Sequence, residues 1–140
     1  EQGFEDIDIK HLIQKLSSAI LSYSSSDSRS VKIVTTGDTV LVNADTASSV
    51  MLVINELLSN SLEHGFRSKK SGNINIRISN EGVFAIFTIT DDGDGFQQKT
   101  NFESLGLNIV KAIVKDKLNG KIRINTSKSG TITEFSIKIK

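Results

Sequence analysis

With 140 residues, 37% apolar and 24% charged, the chain has the size and composition of one globular domain with a real core. A net charge of +1 gives no sign of a nucleic-acid-binding surface, and the lack of cysteine excludes a disulfide framework and a thiolate metal site. The longest apolar runs, Val50–Ile54 and Val83–Phe87, are far shorter than a membrane span. Because the chain opens abruptly at Glu1, we expect a longer parent protein.

The first predicted element is a helix from Asp8 to Tyr23, where apolar residues recur at helical spacing and Asp6 or Asp8 can cap the first turn. The serine-rich, aperiodic stretch from Ser22 to Ser30 predicts a loop. Two short strands are predicted around the Gly37-Asp38 turn, and these are Val31–Thr35 and Thr39–Val42.

The chain is organised around a long central helix. It is predicted to begin near Thr46, with Asn43 or Asp45 as its cap, and to close at Gly65 as a left-handed residue. Its core-facing stripe comprises Val50, Ile54, Leu57 and Ser61.

A second face of this helix carries Glu56, Asn60 and His64, four residues apart. One interpretation is an amphipathic helix with a polar outer face. The other is functional, because a carboxylate, an amide and an imidazole in one row suit a cation and a polyanionic ligand.

Two long strands follow a basic loop, Arg67–Gly72, which we interpret as solvated. Asn73–Ser79 alternates between isoleucine and polar residues, which predicts a strand with one buried face. After the turn at Asn80-Glu81-Gly82, Val83–Thr90 is apolar on both faces, which predicts a central strand.

The last part of the chain begins with a polar loop, Gln97–Glu103. A helix is predicted from Ser104 to the Asn119-Gly120 pair, followed by a hairpin of Lys121–Thr126 and Thr131–Ile139. The element order predicts an α+β, two-layer α/β sandwich of one domain, residues 1–140. Its mixed, mostly antiparallel sheet would be covered on one face by three helices, and the lack of strict alternation between helices and strands argues against a doubly wound sheet.

Two further stretches could contact a ligand. Asp91-Asp92-Gly93-Asp94-Gly95 follows the central strand, where the Asp91 carboxylate could accept a hydrogen bond from an exocyclic amine and the glycines would let a flat ligand approach. An ordinary turn is the alternative, while the spacing excludes a calcium loop. Leu105-Gly106-Leu107 opens a helix whose free amides could bind phosphate, although no P-loop motif occurs.

Together these stretches resemble the Bergerat-type ATP-binding domain of sensor histidine kinases, gyrase, Hsp90 and MutL-type ATPases. The subclass resembled is related to the HWE kinases, in the sister group with the second type of dimerisation and phosphoacceptor domain. The matching motifs are the N box Asn55-Glu56-Leu57-Leu58-Ser59-Asn60-Ser61, the G1 box Asp91–Gly95 and the G2 box Ser104-Leu105-Gly106-Leu107-Asn108-Ile109-Val110.

The resemblance implies ATP and Mg²⁺ as cofactors, and it assigns roles to three residues of the central helix and to Asp91. Asn60 would bind Mg²⁺, and Glu56 would lie near this metal and its waters, as a base in hydrolysing relatives. His64 would lie close to the phosphates, and Asp91 would receive the adenine amino group.

The resemblance also assigns the remaining binding residues. Gly93 and Gly95 would flank the adenine, and Gly106 and Leu107 would offer amides to the phosphates. Lys99 would be the cation of a short ATP lid, and Thr133 would take a position near the adenine. The chain departs from the family pattern at Asp92, Ser104 and Ile132, which replace an asparagine and two glycines.

The function implied is the catalytic domain of a two-component histidine kinase, which transfers the γ-phosphoryl group of Mg-ATP to a histidine on a separate dimerisation domain of the same protein. It would serve a response regulator indirectly and contact neither nucleic acid nor membrane. The isolated domain would be a monomer, and in the cell it would lie in the cytoplasm whether or not the full-length protein is anchored in a membrane. The alternative is an anti-sigma-type serine protein kinase. A gyrase-type clamp would need a longer lid, and intact motifs oppose a degenerate fold.

Overall fold

The computed structural model describes residues 7–23, 30–66, 71–95 and 105–140. Within these residues, three helices pack against one face of a five-stranded sheet. The elements are β1 (Ile7–Asp8), α1 (Ile9–Tyr23), β2 (Ser30–Gly37), β3 (Leu41–Val42), α2 (Ala44–Asn60), β4 (Ser71–Asn80), β5 (Phe84–Asp91), α3 (Leu105–Ala112), β6 (Ile122–Ser127) and β7 (Gly130–Lys138). One π-helical turn, Ser61–Gly65, extends α2, and another, Ile113–Lys117, extends α3.

The strand order of the sheet is β2-β4-β5-β7-β6, so β5 lies at its centre. β2 and β4 are parallel, and the other neighbours are antiparallel. The predicted mixed, mostly antiparallel sheet with helices on one face is confirmed. This order places Asp91, the last residue of β5, between β4 and β7.

The core lies between the sheet and the helices, and strand alternation decides which residues enter it. On β4, Ile74, Ile76 and Ile78 are fully buried, while the residues between them are exposed. Phe87 and Phe135 face each other across β5 and β7 and stack with ring centroids 4.9 Å apart. This packing fixes the middle of β5 and therefore the position where the strand ends.

Both short strands predicted around Gly37-Asp38 are present, but they do not pair with each other. β2 pairs with β4, and the Asp38 amide donates to the Ile78 carbonyl at 2.8 Å. β3 instead pairs antiparallel with β1, a strand that the sequence analysis missed because two residues show no periodicity. At Gly37, φ is +103° and a Cβ would overlap the Ile78 carbonyl, so glycine allows the chain to leave β2 close against β4.

α2 begins two residues before the predicted start, and Asn43 caps it by accepting a 2.8 Å hydrogen bond from the Thr46 amide. The left-handed closure predicted at Gly65 is wrong, because Gly65 is the last residue of the π-helical turn and Phe66 caps it with φ −122°. Because a π-helical turn is wider than an α-helical one, positions 60 and 64 are no longer stacked on one helix face as the four-residue spacing had predicted. The predicted end of the last helix is confirmed by Asn119, which has φ +52°.

Candidate functional site

A buried carboxylate lies at the end of the central strand. Asp91 is 3% exposed and accepts three hydrogen bonds. Ser61 Oγ donates to Oδ2 at 2.9 Å, and the amides of Gly93 and Thr131 donate to Oδ1 at 3.0 and 3.3 Å. These donors occupy most of the acceptor sites of the carboxylate and hold it in one orientation.

The β7 residue beside Asp91 is Thr131, and Thr133, the residue predicted to lie near the adenine, is two positions farther along the strand. The register pairs Asp91 with Thr131, whereas Thr133 pairs with Ile89. Thr133 lies on the same face but about 7 Å farther along the strand, at the usual rise per residue. Thr131 Oγ1 also lies 2.9 Å from Thr126 Oγ1, which links the site to β6.

Gly93 and Gly95, the two glycines predicted to flank the ligand, are both buried. The backbone at position 95 requires glycine. Its φ is +77°, and a Cβ would overlap the carbonyl oxygen of Ser127. Gly95 therefore brings the loop after β5 into direct contact with the β6–β7 hairpin.

We expect Gly95→Ala to destabilise the fold more than Gly82→Ala, measured as the free energy of unfolding in urea. Gly82 has φ +92° with open space around its Cβ position, so its replacement isolates the conformational cost, about 1–3 kcal/mol. Gly95→Ala adds the clash with Ser127, about 1–3 kcal/mol more. An equal loss of unfolding free energy in the two variants would contradict the close contact between Gly95 and Ser127.

Asp92, which departs from the family pattern, joins this loop to β4. Its Oδ1 accepts from the Asn73 amide at 2.7 Å, and its Oδ2 accepts from Asn73 Nδ2 at 3.0 Å. The Asp92 amide in turn donates to the Asn73 carbonyl at 3.2 Å. The exposed Asp92 side chain therefore orients the backbone that follows Asp91.

A second carboxylate lies where α2 meets the first turn of α3. A Cβ on Gly106 would overlap Glu56 Oε2, so the Glu56 carboxylate contacts this glycine directly. Asn60 follows Glu56 by one turn of α2, about 6 Å along the axis. Both side chains are partly buried, and the next residue of α3, Leu107, is 3% exposed.

Two predicted site residues are not placed here. The backbone of His64 lies in the π-helical turn after α2, but its side chain is outside the described part of the chain, as is the whole of Lys99. The structure thus brings Ser61, Asp91, Gly93 and Thr131 together at one end of the site. At the other end it brings Glu56 against Gly106, with Asn60 one turn along α2.

Across the described ranges, no group of three or more His, Asp or Glu side chains could hold a metal ion alone. A metal here needs further ligand oxygens, which phosphate groups can supply. Among those same residues, no helix is both long and apolar enough to cross a bilayer.

Residues 45–140 match the family described as "Histidine kinase-, DNA gyrase B-, and HSP90-like ATPase". The chain belongs to this family. The recognition made from the three motifs is thereby confirmed, and the chain is an ATP-binding domain of the histidine-kinase type.

The relatives are sensor kinases that are longer than this chain. "Sensor histidine kinase PdtaS" of Mycobacterium tuberculosis is 30% identical over 122 residues, which cover 84% of this chain and 24% of the relative. "Blue-light-activated histidine kinase 2" of Erythrobacter litoralis is 30% identical over 113 residues, covering 78% of this chain and 32% of the relative. The chain therefore spans about a quarter to a third of these proteins.

Solved structures show the same fold. The histidine kinase domain of the Erythrobacter litoralis blue-light activated histidine kinase superposes with a TM-score of 0.84 at 27% identity, covering 97% of this chain and 68% of that one. The mycobacterial sensor histidine kinase MprB superposes with a TM-score of 0.76 and covers 98% of both chains. At 19% identity, the latter shows the fold alone.

Two residues that contact Asp91 were not predicted from the sequence, and these are Ser61 and Thr131. Ser61 was assigned to the core-facing stripe, and its burial is confirmed at 4%, but its spacing gave no sign of a partner 30 residues away. Thr131 could have been found from the Gly130-Thr131 pair, a glycine followed by threonine. Gly130 has φ +137°, and a Cβ there would overlap the Asp91 carbonyl.

Proposed function

We propose that this chain is the ATP-binding catalytic domain, residues 1–140, of a sensor histidine kinase, and that it transfers the γ-phosphoryl group of Mg-ATP to a histidine on a separate dimerisation domain of the same protein. One observation carries the proposal: the buried, fully oriented Asp91 carboxylate is held by Ser61, the residue next to Asn60. The residue that holds the base-binding carboxylate is therefore joined by one peptide bond to Asn60, the proposed metal ligand.

At the adenine end, Asp91 receives the exocyclic amine, and the Thr131 amide supports the Asp91 carboxylate. Thr133 keeps its predicted position near the adenine. Gly93 and Gly95 leave the face of the base uncovered by side chains. Because a carboxylate without a proton only accepts hydrogen bonds, this end selects a base that presents a donor.

At the phosphate end, the donor set fits Mg²⁺, which binds few protein oxygens together with phosphate oxygens and water. Asn60 offers an amide oxygen, and the Glu56 carboxylate lies beside Gly106 at the amino end of α3. Phosphate bound to the Gly106 and Leu107 amides would be close to this carboxylate, so a cation is needed between the two negative charges. Mg²⁺ would supply that charge neutralisation.

His64 and Lys99 complete the proposed phosphate contacts. The protein contributes to phosphoryl transfer by positioning the reacting groups and by stabilising the charge of the transition state, since this reaction requires little covalent chemistry from the enzyme. We assign Glu56 to the metal and its waters.

The proposed partners follow from this role. The phosphoacceptor and dimerisation domain of the same protein receives the phosphoryl group, and a response regulator is served indirectly. The isolated domain is a monomer. In the cell the domain lies in the cytoplasm, where ATP is available, whether or not the full-length protein is anchored in a membrane.

A transfer assay tests the proposal. This chain and the phosphoacceptor domain are supplied as separate polypeptides with γ-labelled ATP and Mg²⁺. We expect label on the acceptor domain and none on this chain when it is incubated alone, since His11 lacks an adjacent acidic residue and His64 lies on the nucleotide helix. Stable labelling of this chain at His11 would contradict the proposed division of roles.

A further inference from the structure

We propose that Ser61 is a positioning residue that limits Asp91 to accepting a single further donor, so that the site selects purine nucleotides that carry a 6-amino group. The inference rests on the proposed function, because it concerns how the adenine end of that site reads its ligand. It adds a specificity role to Ser61, which helical spacing assigned only to the core-facing stripe of α2.

The hydrogen bond between Ser61 and Asp91 has a defined direction. Both residues are buried, at 4% and 3% exposure, and Ser61 Oγ lies 2.9 Å from Asp91 Oδ2. An ionised carboxylate carries no hydrogen, so the hydroxyl must donate. The Ser61 hydrogen therefore points at Oδ2.

The remaining acceptor capacity of Asp91 can be counted. A carboxylate offers about four lone-pair sites, two on each oxygen. The Gly93 and Thr131 amides occupy Oδ1, and Ser61 occupies one site of Oδ2. Counting the contacts of the described residues, one acceptor site on Oδ2 remains, which matches a single N–H of an exocyclic amine.

Of the three donors to Asp91, only the Ser61 hydroxyl belongs to a side chain and can be removed by a substitution. The donors on Gly93 and Thr131 are backbone amides, which a side-chain replacement leaves in place. Without the Ser61 hydroxyl, Oδ2 has a second open site and no fixed partner. A water molecule bound there would have to be displaced or accommodated by the incoming base.

The backbone around Ser61 holds this residue in a defined position. Ser61 is the first residue of the π-helical turn, and its own amide contacts the carbonyls of both Leu57 and Leu58. π-helical turns inside α-helices are frequent at functional sites. Since Asn60 immediately precedes Ser61, the same turn sets the separation between the base-reading end and the proposed metal ligand.

The experiment compares two diphosphates by isothermal titration calorimetry with the parent chain and Ser61→Ala. One is ADP, and the other is purine riboside 5′-diphosphate, which is ADP without the 6-amino group. The parent should prefer ADP about tenfold or more, the size expected for one charge-assisted hydrogen bond. Ser61→Ala should lower this preference about fivefold because the acceptor is no longer preorganised, while leaving the affinity for the analogue unchanged.

Ser17→Ala is the matched control. Ser17 is equally buried, at 4%, and donates a 2.8 Å hydrogen bond to the Ile13 carbonyl on α1. Its replacement should cost stability through a similar lost hydrogen bond without changing the preference for ADP. Ser61→Thr retains the hydroxyl and should retain the preference, and thermal unfolding of each variant shows whether it is folded.

The outcomes are distinguishable. A preference that is unchanged in folded Ser61→Ala, or an equal loss of affinity for both diphosphates, would overturn the proposal and leave Ser61 a structural residue. If the parent chain bound neither diphosphate, the proposed function itself would fail. If the parent bound both equally, Asp91 would not read the amine, and the role of Ser61 would fail with it.

Discussion

Replacing Asp91 with alanine should weaken ATP and ADP binding about tenfold or more, because one charge-assisted hydrogen bond of about 1.5–3 kcal/mol to the adenine amine is lost. The parent chain should bind ATP and ADP far more tightly than GTP, which presents a carbonyl oxygen where adenine presents the amine. Competition against a fluorescent ATP analogue measures both effects.

Asp91→Ala also deprives the buried Ser61 hydroxyl of its acceptor, so folding must be checked beside binding. Asp91→Asn keeps the side-chain shape and provides a second test, because its amide cannot offer two acceptor oxygens. Asp116→Ala is the control, since this carboxylate is exposed and lies in the π-helical turn after α3. Equal affinity of the parent for ATP and GTP would show that Asp91 does not read the base.

Replacing Asn60 with alanine should remove most of the gain in ATP affinity that Mg²⁺ provides, a loss of about tenfold or more if the amide is a metal ligand. Titrations of the fluorescent analogue with Mg²⁺ and with EDTA, in the parent and the variant, isolate this gain. The part of the affinity that is independent of metal should persist, because Asp91 and its donors are untouched.

Asn75→Ala is the control for this experiment. Asn75 is an exposed asparagine on β4 whose side chain lies on the sheet face opposite the buried isoleucines. Its replacement should leave the Mg²⁺ dependence intact. Saturable, Mg²⁺-dependent binding that survived Asn60→Ala unchanged would remove Asn60 from the metal role.

Much of the fold was predictable because its elements carry strong periodicity. The alternation of Ile74, Ile76 and Ile78 identified the buried face of β4, and helical spacing identified α1, α2 and α3. The parallel pairing of β2 with β4 was not predictable from local pattern, since it depends on where the α2 crossover returns the chain. β1 escaped because it has only two residues.

The candidate site was predictable where the chemistry is local in sequence. The Asp91–Gly95 motif predicted an aspartate fixed at the end of a central strand, which the structure shows. The choice between Thr131 and Thr133 depends on strand register, which the sequence does not state directly. The partnership of Ser61 with Asp91 joins an α2 residue to β5 and becomes visible only when the helix is packed on the sheet.

The chemical stability of the phosphorylated product tests the central claim most directly. Acceptor domain labelled by this chain and Mg-ATP is divided and incubated in acid and in base, and the retained label is counted. A phosphohistidine should lose its label in acid and keep it in base, as a phosphoramidate does. Label that survived acid and was found on serine would contradict the histidine-kinase assignment and favour a serine protein kinase.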